Sequence, residues 1–262
     1  MQCLFVSDSI PPVNSSASIR NLSLIQGLVE SGVQVHVLTQ DPTNDFVNYD
    51  PSLEGVLDDS VEFFRAQAGT LFSSFVTKRT SISLGTRVKT KSYGKAIYEI
   101  LRDFFFFPDV NAEWRITWKQ FRKDLSSLRF DAIISSSDSK TSHFVADAVL
   151  RSLKYDTFWL QIWGDPWSID VSLGKIRRFQ GLLNEKRLFM KADAIMFVSK
   201  PTLEFYREKY RNLSNRMSFI GRSYSKKQSY GLYEKKNKAT RNSEDGLIEL
   251  LYFGNINSKQ RN

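Results

Sequence analysis

The first forty residues, Met1 to Gln40, constrain the fold of this chain more than any other stretch. They read as a strand (Cys3-Leu4-Phe5-Val6-Ser7), a polar loop, a helix and a second strand (Val33 to Leu38). The first strand is a short apolar run, the pattern of a strand buried on both faces of a parallel sheet. In the loop from Asp8 to Ser18, Pro11-Pro12 end the strand, and Asn14-Ser15-Ser16-Ala17-Ser18 supply small polar residues able to cap a helix. Ile19, Leu22, Ile25, Leu28 and Val29 fall on one helix face, and Gly32 closes the helix. Strand, helix and strand in that order make a parallel crossover unit, right-handed almost without exception. Ligands of such open sheets sit at the carboxyl ends of the strands, so this loop is the first candidate for a site.

The alternation continues. Further strands are expected at Val61 to Phe64, Phe130 to Ile134, Thr157 to Trp163, Ala194 to Val198 and Met217 to Ile220. Helices are expected at Tyr93 to Phe106, Asn111 to Leu128, Thr141 to Leu153, Lys175 to Met190 and Pro201 to Tyr210. The pattern predicts an α/β fold, a Rossmann-like parallel sheet with helices on both faces, over residues 1–221. Residues 222–246, dense in Lys, Ser, Asn and Tyr, read as a linker. Residues 247–262 hold one fresh strand and turn, Ile248 to Asn255. That strand either joins the first sheet or opens a second, incomplete domain.

With 41% hydrophobic residues, including 20 Phe, 10 Tyr and 5 Trp, the chain can build a substantial core. Cys3 is the single cysteine, which excludes an intrachain disulfide or a cysteine-rich zinc site and suits the cytosol. His36 and His143 are too few and too far apart for a histidine metal site, and no metal is expected. Met1 runs straight into a strand without a basic leader, and no apolar run approaches the ~20 residues of a membrane span.

A net charge of +9 suits nucleic acid, anionic lipid or phosphorylated substrates. Nucleic acid is the weakest of these, because neither paired stacking aromatics nor a recognition-helix pattern is present. From Phe63 to Tyr98 there is no carboxylate, while Arg87, Lys89, Lys91 and Lys95 are interleaved with apolar residues. That stretch fits an anionic bilayer surface and equally a solvated basic loop packed on the core. Phe104 to Phe107 and the Trp114, Trp118, Phe121 and Leu125 stripe read as core packing.

Two further strand exits carry candidate residues. Ser135 to Lys140 is a polar loop opening a helix, whose free N–H groups suit an anion, although for Asp138 and Ser139 taken singly the favoured reading is that they cap the helix. Gly164-Asp165-Pro166-Trp167 sets a carboxylate beside tryptophans. Such rings stack on sugars and a carboxylate accepts from their hydroxyls. The alternative is a turn in which Asp165 bonds its own backbone. Function is favoured because this loop leaves a central strand at the ligand edge.

In order, these pieces resemble the amino-terminal domain of the family 4 retaining glycosyltransferases, which have the GT-B fold. The matching residues are Leu4 to Asp8 with Pro11-Pro12, Arg20-Asn21, Gly32 to Thr39, and Phe107-Pro108-Asp109 followed by Trp114. Asp131 to Ser137 with Ser142-His143, Gly164 to Trp167, and Glu185 ahead of Ala192 to Ser199 also match, and Leu251 to Ile256 resembles the start of the second domain. The resemblance implies an acceptor-side domain facing a nucleotide-sugar domain, transfer with retention, and no cofactor beyond the nucleotide-sugar substrate. It implies a catalytic contact from Asp165 to the transferring sugar, with Ser15, Ser16, Arg20, Asp138, Trp167 and Gly254 binding acceptor or donor. Arg87, Lys89, Lys91 and Lys95 would meet the inner membrane face, where a lipid-linked acceptor lies. Asn14-Ser15-Ser16-Ala17 stand where the family often has two glycines, and the family's second-domain basic and carboxylate pairs would lie beyond Asn262. The chain is therefore expected to be an inactive fragment of a transferase for bacterial surface polysaccharide. The alternative is a non-catalytic Rossmann-like module that binds a sugar or a partner.

Overall fold

The computed structural model describes residues 1–41, 49–67, 107–109, 111–170 and 173–221. Its strands are β1 Gln2–Val6, β2 Gln34–Gln40, β3 Glu62–Ala66, β4 Ala132–Ser137, β5 Phe158–Trp163, β6 Ala194–Phe197 and β7 Met217–Phe219. They form one sheet in the order β3-β2-β1-β4-β5-β6-β7, and every neighbouring pair is parallel. The helices are α1 Ser16–Glu30, α2 Trp114–Thr117, α3 Arg122–Ser127, α4 Thr141–Leu150, α5 Lys175–Lys191 and α6 Lys200–Lys209. The expected Rossmann-like parallel sheet is present.

Alternation along each strand divides the apolar residues between two layers. Cys3 and Phe5 of β1 join Val35, Val37 and Ile134 in a cluster that includes Ile25 of α1. Leu4 and Val6 point the other way, into a cluster with Trp114, Val145, Leu188 and Tyr206 from α2, α4, α5 and α6. Helices therefore cover both faces, as buried parallel sheets require. Cys3 is fully buried, and burial pushes its thiol up to about 12.

Several boundaries differ from the sequence reading. The expected helix from Asn111 to Leu128 is broken into α2, a 3₁₀ turn at Trp118–Phe121, and α3. Ile116-Thr117-Trp118, a run of weak helix formers, lies at the break. Trp114, Trp118 and Leu125 are nonetheless buried, as expected of a core stripe. β4 continues through Ser137, so the serines read as loop belong to the strand. Ile19 is 42% exposed, while Arg20 and Asn21 turn inward. The helix expected at Tyr93 to Phe106, the basic residues Arg87, Lys89, Lys91 and Lys95, the linker at 222–246, and residues 247–262 with Gly254 lie outside the described residues. Among the described residues, no helix is long and apolar enough to cross a membrane.

α5 and α6 are joined through Glu185, which is fully buried. Its Oε1 accepts from Ser168 Oγ at 2.9 Å, Lys209 Nζ at 2.9 Å and Tyr210 hydroxyl at 3.0 Å. Its Oε2 accepts from Ser168 N–H at 3.0 Å and Tyr206 hydroxyl at 2.6 Å. Burial first, and this carboxylate second, push both phenols above their ordinary range. Glu185→Ala leaves the half-buried Lys209 ammonium without its counter-charge and strips two buried phenols of their acceptor. The expected loss is about 3–5 kcal/mol of unfolding free energy, read as a lower urea midpoint.

Candidate functional site

β1 lies between β2 and β4, so the strand order reverses at β1, and the carboxyl ends of β1 and β4 are the edge where open sheets of this kind take their ligands. Polar groups bind the two strand ends to α1. Ser136 Oγ of β4 donates to Asn21 Oδ1 at 2.7 Å and accepts from Arg20 Nη2 at 3.2 Å. Asn21 Nδ2 is placed to donate to Ser7 Oγ at 3.0 Å and Ser9 carbonyl oxygen at 2.8 Å. These bonds explain why Arg20 and Asn21, rather than Ile19, face the sheet. Ser15 is the N-cap of α1, its Oγ accepting from Ser18 N–H at 3.1 Å. Ser16 is the exposed first residue of α1, one turn before Arg20.

The exits of β4 and β5 meet Arg20. A Cβ on Gly164 would lie 2.9 Å from Ser137 carbonyl oxygen, 3.1 Å from Arg20 Nη1 and 3.2 Å from Asp138 Oδ1. Only glycine leaves room for these groups to converge. Asp165 follows, exposed, and its carbonyl oxygen accepts from Lys140 Nζ at 2.8 Å. Lys140 is 7% exposed, with its ammonium 5.2 Å from the Trp163 ring centre. Burial lowers its pKa, opposed by Asp165, Asp138 and Asp109. Burial raises the Asp138 pKa; Arg20 opposes this, Asp165 adds to it and Lys140 opposes it. Arg20, Asp138, Lys140 and Asp165 thus share one electrostatic neighbourhood.

A second pair of carboxylates completes the edge. Asp109 Oδ2 accepts from Thr141 N–H at 2.9 Å, and its Oδ1 accepts from Thr141 Oγ1 at 2.7 Å and Ser139 Oγ at 2.9 Å. Asp109 therefore caps α4, where Asp138 and Ser139 were expected to do so, and this protein carboxylate occupies the helix end read as open to an anion. Asp8 Oδ2 accepts from Asn111 Nδ2 at 2.6 Å, and its Oδ1 accepts from Ser142 Oγ at 3.2 Å. Burial, then the charges of Asp109 and Asp138, push the Asp8 carboxyl up to about 7. His143 is fully buried beside this group, its Nδ1 2.8 Å from Ser135 Oγ and its ring stacked 4.4 Å from Trp163. Burial holds it neutral, with a pKa well below the usual histidine range.

Of the residues chosen from sequence, Arg20, Asp138 and Asp165 come together. Ser15 and Ser16 stand at the start of the same helix. Trp167 is corrected: it is 4% exposed, stacked 5.9 Å from Phe107 and edge-on to Phe144 at 6.0 Å, so its ring is core and no face is open to a sugar. Gly254, Arg87, Lys89, Lys91 and Lys95 lie outside the described residues. Sequence reasoning missed Asp8, Asp109 and Lys140 as site residues. The available signal for Asp8 was its place directly after the first strand and its single polar residue. Beside this edge, a cavity of about 700 Å³ is lined by Pro11, Pro12, Asp41, Glu54, Asp58 and Phe63, among others. Among the described residues, no group of three or more His, Cys, Asp and Glu could hold a metal ion.

No protein-family model matches the chain, and no curated protein matches it. In structure it is similar to SsfS6, a glycosyltransferase of Streptomyces sp. SF2575, at 10% identity and a TM-score of 0.40, over 77% of this chain and 51% of that one. It is also similar to a UGT transferase from Siraitia grosvenorii in complex with UDP, at 11% identity and a TM-score of 0.39, over 92% of this chain and 56% of that one. A mutant O-ureido-L-serine synthase with bound O-ureido-L-serine matches at 11% identity and a TM-score of 0.27, over 93% of this chain and 77% of that one. The chain spans about half the length of the two glycosyltransferases.

The raised Asp8 carboxyl fixes a pH dependence. Below the unfolded value of 3.8 both states hold the proton and nothing is lost. As pH rises, the unfolded chain releases it first and the folded chain keeps it to about 7, so stability falls across that window. Asp8→Asn keeps an acceptor for Asn111 and removes the titration. Urea midpoints should fall less between about pH 4 and pH 8 in the variant, which should be the more stable protein at the upper end.

Proposed function

We propose that this chain is the acceptor-side half of a GT-B glycosyltransferase that moves a sugar with retention from a nucleotide sugar to a saccharide or lipid-linked acceptor. The setting would be assembly of a bacterial surface polysaccharide at the cytoplasmic face of the membrane. The observation that carries this reading is the exposed Asp165, held beside Arg20, Asp138 and Lys140 at the carboxyl edge of the sheet, near where the strand order reverses. An exposed carboxylate with its backbone pinned from below can accept from sugar hydroxyls without reorganising. In this reading Asp165 contacts the transferring sugar, Arg20 and Ser16 lie toward the leaving phosphate, and Asp138 with Asp8 faces the acceptor. The donor's phosphates would be held chiefly by a second domain.

Saturation-transfer NMR with a saccharide and with a polyprenyl-diphosphate sugar tests the reading. The 262-residue chain should bind at least one of them and turn over no nucleotide sugar. Asp165→Ala should weaken that binding about ten-fold or more, the loss of charge-assisted hydrogen bonds. Binding of neither probe removes the acceptor assignment. Turnover by this chain alone contradicts the half-site architecture.

A further inference from the structure

We infer that the outer face of α5 is a docking surface for an anionic lipid bilayer. The inference stands independently of the reading of the carboxyl edge. α5 turns Gly181, Glu185, Leu188 and Phe189 inward, all buried: Gly181 faces Trp167, Glu185 meets Ser168 and α6, and Leu188 and Phe189 meet Gln161, Trp163 and Phe197 of the sheet. On the opposite side of the helical wheel stand Ile176, Phe179, Leu183 and Met190, which are 57%, 61%, 56% and 58% exposed. A helix laid on a sheet ordinarily turns polar residues outward. Here the outward residues recur at helical spacing and are large and apolar, and Leu182, 39% exposed, borders them.

The margins of this strip are basic. Lys186 lies along one side, and Arg187 and Lys191 along the other, all exposed. The single carboxylate of the helix, Glu185, is on the buried side. An apolar strip flanked by cations, with no anion on the outer face, is the arrangement of a helix lying in the plane of a membrane interface.

The adjoining surface supplies a place for a headgroup phosphate. Arg187 also lines a cleft of about 480 Å³ with Arg115, Lys119, Arg122 and Arg151, and no carboxylate lines it. Phe144 forms part of its wall, with the Arg115 and Arg187 guanidinium groups 5.0 and 5.7 Å from the ring centre. Asp147 answers only part of this charge, pairing with Lys191 at 2.6 Å, Arg151 at 3.4 Å and Arg187 at 3.9 Å. Lys119 and Arg122 form no ion pair among the described residues. Converging cations repel one another until an anion enters. A second copy of this chain would bring the same cations face to face, whereas an anionic bilayer offers both phosphate and apolar depth.

Flotation with vesicles tests the inference. The chain should float with phosphatidylcholine vesicles containing about a third phosphatidylglycerol, far less with phosphatidylcholine alone, and less as salt is raised. Phe179→Asp with Leu183→Asp should cut the bound fraction about ten-fold or more, while thermal unfolding and near-ultraviolet circular dichroism stay as in the parent, since both side chains are exposed. Arg115→Glu with Arg187→Glu should release the chain from the anionic vesicles as well. No flotation overturns the inference, as does equal flotation on neutral vesicles. Release by charge reversal at Lys89 and Lys91, with the α5 variants still bound, overturns it too. A concentration-dependent dimer that the α5 double variant dissociates would give the face to a second copy and overturn it.

Discussion

The parallel pairing of β1 with β4 sets the place of every polar group at the carboxyl edge. Val6 lies opposite Ser135 in that pairing and opposite Leu38 in the pairing with β2. The loop after β1 and the loop after β4 therefore leave from adjacent rungs and turn apart. Buried strand ends normally finish in apolar residues, but β4 finishes in Ser135, Ser136 and Ser137, all fully buried. Such an ending is costly unless partners are found across elements, as Ser135 and Ser136 find them and the Ser137 hydroxyl, among the described residues, does not. Ser135 meets His143 and Trp159, and Ser136 meets Asn21 and Arg20. The polar floor is thus a consequence of topology, and it holds α1 by hydrogen bonds where an apolar helix face would have held it by packing alone.

Charge at this edge is unbalanced in one direction. Asp8, Asp109, Asp138 and Asp165 gather there with Arg20 and Lys140 as the counter-charges. Asp109 is satisfied by α4, so its field acts on Asp8 without competing for the same donors. Burial and like charge together keep the Asp8 proton into the neutral range, and groups poised in this way recur at sites that exchange protons or recognise hydroxyls. The opposite sign prevails on the helical layer, where arginines line the cleft beside α5. The net charge of the chain says nothing of this division.

The sheet was legible because buried parallel strands are short apolar runs separated by helical periodicity, and each of the seven strands lies within a few residues of its expected place. The ends were less legible. Ser135 to Ser137 look like loop residues because a sequence does not reveal which serines have buried partners. Ile19 fits the apolar periodicity of α1, yet Arg20 and Asn21 take the inner face because Ser7, Ser9 and Ser136 are there to receive them. Asp165 was legible from its flanking Gly and Pro. The cap of α4 was not, since Asp109 lies about thirty residues before the helix it caps and only the fold brings them together. Trp167 misled for the opposite reason: an aromatic residue beside a candidate carboxylate has the same appearance in sequence whether it faces outward or, as here, fills the core.

The burial of Cys3 has a practical corollary. A thiol that is sealed inside the sheet and holds its proton to about 12 is a poor nucleophile toward alkylating or maleimide reagents in the native state. Because it is the sole cysteine, one engineered surface thiol is enough to attach a fluorophore or spin label at a chosen position without first deleting the native one. The carboxyl edge of the sheet and the outer face of α5 can thereby each carry a single reporter of local environment in an otherwise unaltered chain.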